Sequence, residues 1–270
     1  MTIALSLMLS ALHSLLFALS LFAVHLPDGN VLTPAWLIGG YLVAGMLVVM
    51  GSWRIEDDEI PRIALLTAAF FVVSLIHVPV PGLPSSAHLL FNGLLGVVLG
   101  RRAALAIPLG LLLQAVLLQH GGLTTLGVNT CVMVFPALLA WQMFTAWQRL
   151  GPRSEVRSQK SEVSGESGCV SARSSETEVR DRIPNFALGL LIGVVAVLAT
   201  VFLHCLTLWL GGTSDWRSLI VLTLVPHLLI AAVEGVILGF TVRFLARVKP
   251  DMLRGRARQE NTECTADALS

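Results

Sequence analysis

The chain has 270 residues, of which 55% are hydrophobic and 13% charged, with 18 Lys and Arg against 17 Asp and Glu. The charges sit in a few short stretches, and residues 29–53, 63–100, 103–148 and 183–214 carry none, which excludes a large soluble core. A crossing of the hydrocarbon layer takes about 20 apolar residues, so the two longer runs can each hold two crossings. An all-α, polytopic transmembrane bundle is expected, with no nucleic-acid partner.

Residues 1–23 are apolar and free of Asp, Glu, Lys and Arg, as in a signal peptide or an uncleaved signal anchor. Ala23 suits the position before a cleavage site, whereas Leu21 is larger than usual two positions earlier and a basic n-region is missing. Val24-His25-Leu26-Pro27-Asp28-Gly29 follows directly. Cut at that junction, His25 becomes the second residue of a mature protein, where an amine, a peptide nitrogen and an imidazole can grip one metal ion. Beyond residue 28, charges, Pro and Gly divide the chain into seven spans near 31–52, 62–80, 86–100, 103–119, 123–148, 184–211 and 217–247. The third and fourth are short for full crossings, which suggests tilt or a stop part-way at a cavity.

Within this frame, Pro79-Val80-Pro81-Gly82-Leu83-Pro84 cannot continue a helix, and Ser85 or Ser86 is a good N-cap for the next one. That predicts His88 in the first helical turn, at the mouth of a cavity. Gln114 and the run Gln119-His120-Gly121-Gly122-Leu123-Thr124-Thr125-Leu126-Gly127-Val128-Asn129 put polar groups at membrane depth. Such groups are tolerated where backbone is buried in protein or lines a cavity. Gln114, Asn129 and Asn92 can orient ligands by hydrogen bonds, or equally join helices. Residues 24–150 are expected to form a metal-binding transmembrane core and 183–250 the C-terminal helices of the same bundle. The Ser-, Glu- and Arg-rich stretch 151–182 reads as a disordered cytoplasmic linker, and 251–270 as a solvated cytoplasmic tail.

The basic residues fix an orientation. With the Val24 end outside the cell, only Arg217 of the 18 Lys and Arg falls outside, and the C-terminus is cytoplasmic. The expected location is the inner (plasma) membrane. Cys131, Cys169, Cys205 and Cys264 form no CxxC pair, so neither a disulfide framework nor a thiolate metal site is indicated. His25, His77, His88 and His120 fall near one outer level, and imidazole suits nickel, cobalt, copper and zinc. Only Asp28, Asp215 and Glu234 lie outside the cytoplasmic segments, too few acids for a hard-cation carrier. An intramembrane hydrolase built on His227 and Glu234 is disfavoured, since the two lie about two helical turns apart and no HExxH or convincing GxSxG accompanies them. An ATP-independent metal channel shares the histidine cluster and stays open as an alternative.

His25-Leu26-Pro27-Asp28-Gly29, Pro79-Val80-Pro81-Gly82, Ser86-Ala87-His88-Leu89-Leu90 and His120 through Asn129 resemble the CbiM/NikM family. The resemblance extends to Pro226 through Gly235 and Arg243 through Asp251, and covers Val24 to about Leu253 apart from the polar linker. Members of that family are the substrate-binding membrane components of energy-coupling-factor cobalt and nickel transporters. The resemblance implies a square-planar site made by the Val24 amine, the His25 backbone nitrogen and imidazole, and His88. His77, Asn92, Gln114, His120 and Asn129 would surround it. Transported Ni(II) or Co(II) would be cargo, with no permanently bound cofactor, and nickel is weakly favoured by the Ser86–Gly93 context. It further implies a membrane coupling subunit and cytoplasmic ATPase subunits, with a small accessory membrane protein for loading. No GxxxxGK[ST] phosphate loop occurs in the chain, so ATP hydrolysis would belong to those partners. Two departures stand out. Many members begin with Met-His, whereas 23 residues precede Val24-His25 here, and Cys131-Val132 stands where an Asn-Met-like pair is usual.

Overall fold

The computed structural model describes residues 26, 31–79, 86–118, 120–150, 171–213, 217–248 and 253. Among them are seven α-helices: α1 (Pro34–Ser52), α2 (Ile60–Val73), α3 (Asn92–Leu99), α4 (Ala103–Leu118), α5 (Leu126–Leu150), α6 (Ser171–Gly211) and α7 (Arg217–Val248). One pair of three-residue strands, β1 (His77–Pro79) and β2 (Ser86–His88), lies between α2 and α3. Among the described residues five stretches are long and apolar enough to cross a membrane, at 34–52, 92–118, 126–149, 185–211 and 226–248, with Ile60–Val73 shorter.

Prolines and glycines punctuate the elements. Pro34 and Pro61 occupy the first turns of α1 and α2, where a missing N–H costs nothing. The stretch 92–118 is not one rod. Its 27 residues would span about 40 Å as a straight helix, yet the rings of His88 and His120, just beyond its two ends, have centroids 5.7 Å apart. The chain therefore doubles back through the 3₁₀ turn Gly100–Arg102, with Gly100 at φ +57°. The hairpin is clamped at its tip by Arg102, which donates to the carbonyls of Gly51 (2.9 Å), Trp53 (2.7 Å) and Arg54 (2.6 Å) and pairs with Glu59 at 2.6 Å.

The antiparallel contact of α6 with α7 runs over glycines, Gly189 against Gly239 and Gly193 against Gly235, which lets the two backbones approach closely. Helix α5 is central, packing on α1, α3, α4 and α6. The larger apolar core joins Leu26 and Leu32 to Phe70, Leu90, Ile107, Met133 and Val201, and a smaller one gathers Val97, Phe144, Ile192, Leu238 and Leu253. A bridge between Leu32 and Gly212, flanked by Thr33 N to Gly211 O at 2.9 Å, ties the start of α1 to the end of α6.

Several expectations are corrected. The second span was expected to reach residue 80, but α2 ends at Val73, and the next residues turn into a strand. His88 was expected in a helical first turn and lies instead in β2, opposite His77 in an antiparallel register. The helix starts only at Asn92, because the two prolines of His77–Pro81 favour extended backbone and Phe91 at φ +51° breaks the approach to α3. Helix α6 begins at Ser171, twelve residues inside the stretch read as a disordered linker through 182. The sequence there sets Glu176 and Glu178 four residues ahead of Arg180 and Arg182, a spacing that favours a solvated helix over coil. Residues 1–25, with the apolar opening, Val24 and His25, lie outside the described residues, as do 151–170 and most of 251–270.

Candidate metal centre

The first described residue, Leu26, is held at both of its backbone polar groups beside the N-terminal end of α5. Its N–H donates to Asn129 Oδ1 at 2.8 Å. Its carbonyl accepts from Thr125 Oγ1 (2.6 Å), Asn129 Nδ2 (3.0 Å) and the Gly122 N–H (3.1 Å). The Asn129 carboxamide thus reads both polar groups of one residue, as a neighbouring strand would. The reading is unambiguous, because the backbone N–H needs an acceptor and the carbonyl a donor. The Leu26 side chain is buried in the main core. The residue that precedes it in the chain is His25.

The loop that supplies Gly122 also carries His120, whose backbone N–H donates to the Gln114 carbonyl at 3.2 Å, closing the end of α4. The His120 ring meets His88 edge to face, at 5.7 Å between centroids and 83° between planes. His88 is fully buried. Its Nδ1 lies 3.3 Å from the Leu89 carbonyl, an acceptor only, so this contact belongs to the tautomer with the proton on Nδ1 and a lone pair on Nε2. His77 shares the register with His88 through the β1–β2 pair. Backbone geometry therefore gathers His77, His88 and His120 at the end of the bundle where Leu26 is held.

The polar residues singled out from the sequence divide into two groups. Asn129 holds Leu26 beside the histidines, and Gln114 is buried with Nε2 on Ser74 Oγ at 2.5 Å. Ser74 spends its own proton on Phe71 O at 2.8 Å, so the amide must donate there, and the buried Gln114 Oε1 is left without a hydrogen-bond partner. Asn92 belongs to the packing instead. Its Nδ2 donates to Thr200 Oγ1 at 2.6 Å and its Oδ1 caps the Gly93 N–H at 2.8 Å, joining α3 to α6. Among the described residues no three His, Cys, Asp or Glu side chains converge on one point.

Glu234, one of the few acids outside the cytoplasmic segments in the sequence, has a specific place. On α7 and buried, it accepts the N–H of Leu90 at Oε1 and that of Phe91 at Oε2, the latter at 3.1 Å. It caps the start of α3 directly behind His88. Thr125 and Gly122 were quoted in the sequence only as part of a motif, and their bonds to Leu26 are tertiary facts that no local pattern could disclose. An acid at membrane depth was the signal that could have found Glu234's role.

The chain is similar to known proteins over most of its length. Residues 25–252 match the family described as the cobalt uptake substrate-specific transmembrane region, CbiM. A Haemophilus influenzae protein named for metal transport is 33% identical over 239 residues, covering 88% of this chain and 99% of its own. An Archaeoglobus fulgidus protein named a fused nickel transport protein, NikMN, is 25% identical over 238 residues, covering 87% and 69%. A crystal structure described as a transition metal transporter superposes with a TM-score of 0.57 at 22% identity, over 83% of this chain and 93% of that one, and so shares its fold. With its family match spanning most of the sequence, from the histidine before Leu26 to the end of the last helix, the chain belongs to the CbiM family of cobalt-uptake transmembrane proteins.

Proposed function

We propose that this chain is the substrate-capture component of an ATP-driven energy-coupling-factor importer, taking Ni(II) or Co(II) from outside the cell. The observation that carries the reading is the tether on Leu26. Four hydrogen bonds hold the backbone immediately after His25, and through Gly122 the tether is continuous with the loop of His120, whose ring meets His88. The proposed ligands are the Val24 amine, the His25 peptide nitrogen and imidazole, and the His88 imidazole. Chelate rings at a free terminus favour a d8 ion such as Ni(II), and because the nitrogens bind deprotonated, affinity rises with pH. His77, His120, Gln114 and Asn129 orient this set.

Residues 1–23 act as a signal whose removal frees the Val24 amine. The helical bundle sits in the inner membrane with Val24 outside and the C-terminus in the cytoplasm, consistent with Arg217 being the one basic residue assigned to the outer side. A membrane coupling subunit and cytoplasmic ATPase subunits supply the energy, with a small accessory membrane protein for loading. The fusion of the Archaeoglobus fulgidus relative to a further segment supports the expectation of such companions. The chain catalyses nothing itself.

The test is intact mass of the purified chain together with elemental analysis of bound metal, repeated for His88→Ala. A mature terminus at Val24 with one nickel or cobalt per chain is expected, and loss of high-affinity binding in the variant. Retention of Met1 with stoichiometric metal, or unchanged uptake by the variant in metal-limited cells, would sink the ligand set.

A further inference from the structure

We infer that Glu234 is a positioning residue for this metal site, holding the His88 imidazole in one tautomer through a single peptide unit; the inference rests on the proposed role of His88 as a ligand. The Leu89–Leu90 peptide is bonded at both of its polar groups. Its N–H donates to Glu234 Oε1, and its carbonyl faces His88 Nδ1 at 3.3 Å. The peptide is planar, so a group that fixes its N–H fixes its carbonyl on the opposite edge. With that carbonyl in place, the Nδ1 proton has its acceptor and Nε2 keeps the lone pair a metal needs.

The surrounding backbone cannot do this unaided. Strand β2 has three residues and α3 has eight, both too short to be stable by themselves. Between them Phe91 sits at φ +51°, a left-handed conformation that a bulky aromatic residue avoids. The Phe91 N–H is the second donor to Glu234, at 3.1 Å, so the carboxylate grips the two consecutive peptides that lead into the unfavourable residue. The start of α3 also presents amide groups with no partner inside the helix, which favours an acceptor there. A carboxylate buried in a membrane bundle is costly, and a role confined to packing would be served by an apolar side chain.

The experiment compares wild type, Glu234→Gln and Glu234→Leu as full-length chains in detergent. The His88 ring ¹⁵N signals are recorded without metal, assigned by difference with His88→Gln, and Ni(II) is then titrated. In wild type the signals of an Nδ1–H tautomer are expected. Glu234→Leu should give a mixture of tautomers and at least tenfold weaker nickel binding. Glu234→Gln keeps one acceptor oxygen and should fall between the two. Ring signals that stay at the wild-type tautomer in Glu234→Gln and Glu234→Leu overturn the inference, as does nickel affinity equal to wild type in both. If the leucine variant does not fold, the glutamine variant decides alone. Wild-type chain that binds no nickel would sink the proposed function, whereas the metal-free ring signals still judge the role of Glu234.

Discussion

At the scale of single residues, the most informative contact is the one Asn129 makes with Leu26. A sequence can nominate a buried asparagine at membrane depth, but cannot say whether it serves a site or a helix interface, and Asn129 and Asn92 were nominated on equal terms. Their surroundings separate them. Asn129 binds the backbone next to His25, at 2.8 Å and 3.0 Å, whereas Asn92 binds Thr200 on another helix. Removing the amide in Asn129→Leu strands a buried N–H, at a cost of about 1–3 kcal/mol. Partners that orient metal ligands typically change affinity by about 10–100-fold when lost. Nickel affinity of Asn129→Leu, measured by calorimetry on the purified protein, is therefore expected to fall within that range. Asn129→Asp should be no better, since the carboxylate would present an acceptor to the Leu26 carbonyl where a donor stood. Wild-type affinity in both variants would remove Asn129 from the site.

At the scale of elements, the glycine and proline pattern foretold where the chain breaks more accurately than what it forms between the breaks. The gap after residue 100 was legible, and it is a full reversal. That its arms lie side by side needed the 5.7 Å proximity of His88 and His120. The strand pair was not legible, because three residues are too few to carry an alternating pattern and their pairing partners are not adjacent in sequence, His77 pairing with His88 and Pro79 with Ser86. The beginning of α6 was missed for a related reason, since the composition of 171–182 signals exposure, and exposure is compatible with a helix. Short α3 depends on close approach to α5, where a Cβ on Gly96 would run into the backbone carbonyl of Ala137, an atom with no freedom to move aside. Gly96→Ala should lower the stability of the bundle by about 1–3 kcal/mol, the usual cost of overpacking. The measurement is thermal unfolding in detergent. Gly45→Ala, with open space around its Cβ position, is the matched control expected to show no loss.

At the scale of the molecule, the polarity is inverted relative to a soluble domain. Leu42, Leu65 and Trp209 are 72%, 70% and 69% exposed, while His88, Asn92, Gln114 and His227 are each at 0%. That inversion is the imprint of a lipid solvent, in which polar groups must find partners inside the bundle, and the composition alone announced it. The orientation across the membrane comes from charge, a long-range property that the bundle's internal contacts do not encode. It can be tested on the chain's own thiols. Cys131 and Cys205 lie within helices α5 and α6, and Cys169 and Cys264 belong to the two charged segments assigned to the cytoplasm. A membrane-impermeant maleimide applied to right-side-out vesicles should label no native cysteine, whereas inverted vesicles should label Cys169 and Cys264. Ser214→Cys, next to Arg217 on the assigned outer side, should reverse the pattern for the added thiol. Labelling of Cys169 from the outside would turn the molecule over, bringing His88 and the Leu26 tether to the cytoplasmic face, from which a capture site for import could not take its ion.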